Sequence, residues 1–186
     1  MDGWILAAGA AWLLAFGGLI WLVLGYRRLA RRRARARASW TRIDTQLRRR
    51  HDLVPRLVET VNGYAGPDRD ALEAVVAAHA GAVAATRSGP AARARAEERL
   101  TVSLDRLFAL VDVDAYRELR ADATFATLRG QLCAADDQVA YVRQFYNTAV
   151  QAYVRAAQSV PTRLVTRVGG LRPPELFDAT PDPLAG

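Results

Sequence analysis

The residues able to do chemistry are few, and their spacing is restrictive. The chain has two histidines, His51 and His79, and one cysteine, Cys133. No Gly-rich phosphate loop, HExxH, CxxC or GxSxG occurs in it. A di-iron bundle needs Glu-x-x-His on two helices, but Arg48 and Val76 stand three residues before the histidines. The metal chemistry left open is a His-plus-carboxylate site built from His51 and His79 with Asp136 or Glu97. The alternative is a hydrogen-bonded structural layer, because both histidines fall on apolar helix faces. Cys133, beside Leu132, reads as a small packed residue. No catalytic set and no cofactor is expected.

Arg50 is the other polar residue out of place. Trp40, Ile43, Leu47, Val54, Leu57, Val58 and Val61 share about 100° of a helical wheel, and Arg50 lies within that arc. An unpaired buried guanidinium is very costly. With a later helix running antiparallel beside this one, position 50 is level with about position 138. Arg50 must therefore reach out to solvent or meet an acid; an interhelix pair between Arg50 and Asp136 is expected, with a solvent-exposed Arg50 as the alternative, and the same register brings Trp40 near Asn147.

These residues need helices to position them. The first helix of the body ends near Gly63, before Gly66-Pro67. Pro55 lies inside it, where a lost hydrogen bond and a crowded His51 carbonyl cost about 3 kcal/mol and predict a kink. Leu72, Val75, Val76, Ala82 and Val83 mark a second helix that stops at Ser88-Gly89-Pro90. Pro90 suits the first turn of a third, with Leu100, Ser103, Leu104, Leu107 and Val111 inside. Residues 112–121 read as a connection. Asp122 is the expected N-cap of a long fourth helix, lined by Phe125, Leu128, Leu132, Val139, Val142, Tyr146, Val150 and Tyr153 and closed by Pro161. The expected body is an all-α, antiparallel up-down four-helix bundle over 38–161. A Pro-rich tail, 162–186, is expected to be extended or disordered, with a docking point at Leu176-Phe177.

Ahead of the body lies an anchor. Gly3 to Gly25 carries no charge, and at about 1.5 Å per residue it makes a helix of about 34 Å, enough for the roughly 30 Å hydrocarbon core. Trp4, Trp21 and Tyr26 sit near its ends, as interfacial aromatic rings do. Residues 1–26 are thus read as a transmembrane anchor and not a cleaved signal peptide. Gly3, Ala7, Ala11 and Ala15 repeat at four-residue spacing, a small-residue face suited to self-association in lipid.

The net charge is +7, with 26 basic side chains, all Arg. Arg27, Arg28, Arg31, Arg32, Arg33, Arg35 and Arg37 crowd a juxtamembrane segment, 27–37, that has no acid. Beyond it, the other Arg residues are nearly balanced by acids. A nucleic-acid binder carries its basic stripe on the folded domain, so no nucleic-acid partner is expected. The positive-inside rule places the N-terminus outside and the body in the cytoplasm of a single-pass cell-membrane protein. The block can also hold lipid headgroups, at about 1 kcal/mol per Arg.

The run from Trp40 to Val61, with Asp52 and Pro55 inside it, resembles the signature of the LemA family. So does Tyr146-Asn147, followed by Val150, Tyr153 and Pro161. The resemblance spans roughly residues 20–178. It implies a single N-terminal transmembrane helix, a four-helix bundle and no assigned reaction. Against the family's usual pattern, Arg56, Asp122 and Val154 stand where Asn is common, and Asp136 where Glu is common. The expected function is a non-enzymatic, membrane-tethered scaffold or protein-interaction module of the bacterial envelope, with other membrane or envelope proteins as partners. The alternatives are a metal-binding enzyme or sensor using the His/acid layer and an anionic-lipid sensor using the Arg-rich segment.

Overall fold

The structure is a computed structural model that describes residues 3–64, 69–113, 116–158 and 174–178, the side chains of residues 3–8, 10 and 11 excepted. Among the described residues every regular element is helical. The helices are α1 (Gly3–Asn62), α2 (Arg69–Ala84), α3 (Pro90–Val111), α4 (Arg117–Ala121) and α5 (Ala123–Gln158), with a 3-10 turn at Ala85–Arg87. The chain divides into two compact units: Met1–Ser39 with Thr148–Pro174, and Trp40–Asn147 with Glu175–Gly186.

The second unit holds the main core. Leu53, Val54, Leu57 and Val61 of α1 meet Val75 and Ala82 of α2, Leu100, Leu104, Leu107 and Val111 of α3, and Phe125, Leu128 and Leu132 of α5. Ile43 and Leu47 of α1 are also fully buried. These residues recur at three- and four-residue intervals, so one stripe of each helix leaves water. On α2, Val76 and Val83 are exposed and do not join that stripe. Ala82 is the buried residue near its end, as the small side chain that lets helices approach closely. The 112–121 connection contains α4, which a composition of charged residues around one buried Leu119 had hidden. Five residues of helix are too few to show a period.

The local signals for helix boundaries act as their chemistry requires. Pro90 opens α3 with extended Gly89 before it, where the missing N–H costs nothing. Asp122 opens α5: its Oδ1 accepts the Phe125 N–H at 2.7 Å. α1 runs through Pro55 without ending.

In the first unit, Leu29, Ala36, Val150 and Tyr153 are buried, and Arg32 donates to the Ala152 carbonyl at 2.8 Å. Every large apolar side chain from Trp12 to Leu24 is exposed, Trp12 and Leu14 at 78%. α1 is the one described helix long and apolar enough to cross a membrane. Of the small-residue face, Ala15 is exposed, while the side chains of Gly3, Ala7 and Ala11 lie outside the described residues, as does Pro161.

Candidate functional site

The most heavily charged interior of the second unit is built around Arg50, which is 2% exposed. Its Nη1 donates to Glu97 Oε2 at 3.2 Å, and Nη2 donates to Thr101 Oγ1 at 2.8 Å. Arg50 Nε lies 2.7 Å from Asp136 Oδ1, close enough for an ion pair but without hydrogen-bond alignment. Nη2 adds a longer bond to Asp136 Oδ2 at 3.5 Å. The structure thus brings Arg50 and Asp136 together across α1 and α5. It also brings in Glu97 of α3, which is 5% exposed, as a second carboxylate. Glu97 Oε1 accepts from His51 Nε2 at 2.8 Å. Burial pushes the Asp136 carboxyl above its ordinary range, and the Arg50 charge only partly offsets that.

His79 has a different task. Pro55 has no N–H, so the carbonyl of His51, four residues earlier, loses its helical donor. His79 Nε2 lies 3.2 Å from that oxygen. A carbonyl only accepts, so Nε2 carries the proton and donates. The rings of His51 and His79 meet edge to face at 5.6 Å. Burial first, and then the neighbouring His51, lowers the His79 pKa, which keeps that ring neutral.

At the α1 terminus, Tyr64 OH donates to Asp122 Oδ2 at 2.6 Å. This bond, followed by the Phe125 N–H, holds the Asp122 carboxyl below the ordinary carboxylate range. A carboxyl held down by folding contributes stability above its unfolded pKa and loses it as pH falls through the folded one. Asp122→Asn keeps a capping oxygen and removes the titration. Thermal melts across pH should therefore show a shallower loss of stability on acidification for this variant. An unchanged acid limb would rule this out. The Asp136 shift has the opposite sign, so its contribution falls as pH rises through its window.

Toward the other end of the unit, Trp40 and Tyr146 pack at a tilt with ring centroids 5.3 Å apart, and Phe177 packs edge-on to Trp40 at 5.6 Å. Phe177 is 3% exposed, whereas Leu176 is 41% exposed, so Phe177 is the docking residue of the pair. Asn147 Oδ1 accepts the Phe177 N–H at 3.0 Å, and its Nδ2 donates to the Phe177 carbonyl at 3.3 Å. Tyr146 OH donates to the Glu175 carbonyl at 2.7 Å. Burial, with a smaller push from the Glu175 charge, moves the Tyr146 pKa up to about 12. Nearby, Arg93 is 1% exposed. It donates to Asp44 Oδ1 at 2.7 Å and lies 5.6 Å from the Trp40 ring centroid.

The remaining expected residues are placed as follows. Among the described residues, no group of three His, Cys, Asp or Glu side chains is arranged to hold a metal ion; His51 is engaged by Glu97 and Asp136 by Arg50. Asp52 and Pro55 are exposed. Cys133 is exposed rather than packed, because Leu132 and Ala135 take the buried positions of that turn. Of the seven arginines in 27–37, Arg28, Arg31, Arg32 and Arg35 line one open surface cavity of about 220 Å³. Their three- and four-residue spacing puts them on one face.

Arg93, Asp44 and Glu175 escaped the sequence reading. A signal for Arg93 was present: Arg93, Glu97, Leu100, Leu104, Leu107 and Val111 continue one helical stripe backwards through two charged residues.

Comparison with curated proteins gives no match. The LemA family model matches residues 39–184, a span that takes in the Arg50 layer, Asn147 and the docked Phe177 and begins just after the Arg-rich segment. The chain belongs to the LemA family.

Proposed function

We propose that the protein is a non-enzymatic, membrane-tethered scaffold or protein-interaction module of the bacterial cell envelope. In this reading the apolar part of α1 is a single span with its N-terminus outside. The Arg-rich segment and the body are cytoplasmic, and α1, α2, α3 and α5 form an antiparallel up-down four-helix bundle. The observation that carries the reading is the continuous band of exposed apolar side chains from Trp12 to Leu24, followed at once by seven Arg. Such a band is stable in lipid and a liability in water. Arg50, His51, Glu97 and Asp136 are engaged with one another, which suits a structural role.

Orientation is testable through Cys133, the sole thiol and an exposed one. A membrane-impermeant maleimide should leave it unlabelled in intact spheroplasts and label it after permeabilisation. Labelling from outside would overturn the orientation. For the interaction role, crosslinking in native membranes should recover specific protein partners above a soluble-bundle control; recovering none would count against it.

A second reading, an anionic-lipid sensor, is favoured by the four-arginine cavity. Binding to vesicles should then require anionic lipid and fall steeply with salt.

A further inference from the structure

The segment Glu175–Phe177 is held like a bound peptide. Asn147 exchanges two hydrogen bonds with the backbone of one residue, Phe177. Tyr146 takes the carbonyl two residues earlier. The Phe177 ring fills the space beside Trp40. The Glu175 carboxylate lies over Gly89, whose missing Cβ would stand 2.8 Å from Oε2. Gly89 is the N-cap of α3, so the carboxylate sits at the helix end that favours an anion. Leu176, between these anchors, is left exposed.

This is recognition of an extended main chain with one aromatic pocket and one acidic position, the arrangement by which folded domains read linear segments. Little of it depends on which chain supplies the segment. Three of its polar contacts go to backbone atoms, and only one ring leaves the cleft when the segment leaves.

We propose that the cleft formed by Trp40, Tyr146, Asn147 and Gly89 is a receptor for an extended Glu-x-Phe segment of a partner protein, with the chain's own Glu175–Phe177 as resident occupant. The proposal rests on the interaction-module reading and names the chemistry of the partner. A tethered occupant meets its site at an effective concentration of order mM, so the resident segment sets a threshold that a partner must exceed.

The test uses the full chain in detergent micelles and a fluorescent peptide with the sequence of residues 171–181. Phe177→Ala should vacate the cleft and bind the peptide saturably. The wild-type chain should bind at least about tenfold more weakly, because its own segment competes. Adding Asn147→Leu to Phe177→Ala should abolish binding, as should replacing the peptide's Phe by Ala. Phe177→Leu, which keeps an apolar filler, is the second variant if a melt shows Phe177→Ala to be unfolded; it should bind the peptide more tightly than wild type. Absence of saturable binding by the folded variants would overturn the proposal, as would equal binding by wild type. A concentration-dependent dimer without peptide binding would assign the segment to a second copy and likewise overturn it. Partners crosslinked in membranes alongside a failed peptide assay would sink the cleft alone; peptide binding with no crosslinked partner would sink the scaffold reading alone.

Discussion

Arg50→Met is expected to lower the stability of the folded chain by about 3–5 kcal/mol. Met keeps most of the side-chain volume, so the loss reports charge rather than a cavity. In the native layer, one guanidinium serves Glu97, Thr101 and Asp136. Without it, among the described residues, Glu97 keeps only His51 and Asp136 has no cation left. Both carboxylates then stand in a region whose burial already disfavours the ionised Asp136. Denaturant unfolding of wild type, Arg50→Met, Glu97→Gln and the double variant should give a coupling of about 1–3 kcal/mol. Additive losses would mean that the two groups are not a working pair.

Arg93→Met should act in the opposite direction, raising stability by about 1 kcal/mol, the low end of what replacing a whole buried ion pair by apolar groups gives, because only one partner is removed. Both arginines are buried, but their surroundings differ. Among the described residues, Arg93 Nε and Nη2 have no hydrogen-bond partner, and the residue sits in the first turns of α3, where the helix dipole disfavours a cation. Its anion, Asp44, also holds Arg48 at 2.8 Å and would not be orphaned. What the substitution gives up is the Asp44 bond and the ring contact with Trp40, the latter worth about 0.5–2 kcal/mol. A midpoint shift toward lower denaturant would show that the Asp44 bond outweighs the two unpaired donors. Set side by side, the two Met variants separate a closed ionic layer from a half-open one.

The contrast between these arginines also marks what a sequence can carry. Arg50 was legible because seven apolar residues at helical spacing fix the arc it interrupts, and antiparallel register then points to Asp136. Glu97 as the more deeply buried second partner was not, because it lies on α3, whose height relative to α1 depends on α2 and two loops. The length and chemistry of the apolar N-terminal run were plain, as was the Asp122 cap, since both are local. The α4 turn was not, having too few residues for a period. Docking at Phe177 could be suspected from an aromatic residue in a Pro-rich stretch. The part played by Asn147 could not be foreseen, because an amide that binds backbone leaves no mark on the residue it binds.

The bond from His79 to the His51 carbonyl reaches beyond local geometry. Around Pro55, α1 cannot finish its own hydrogen-bond ladder; the missing donor comes from α2. Forming that turn of helix and docking α2 are therefore one event, not two. An isolated α1 peptide carries an unanswered carbonyl there, and the assembled chain does not. Where most helices gain only burial from their neighbours, this one gains part of its backbone, so local opening of α2 should loosen amide protection in α1 around residues 51–55 before the rest of the core yields.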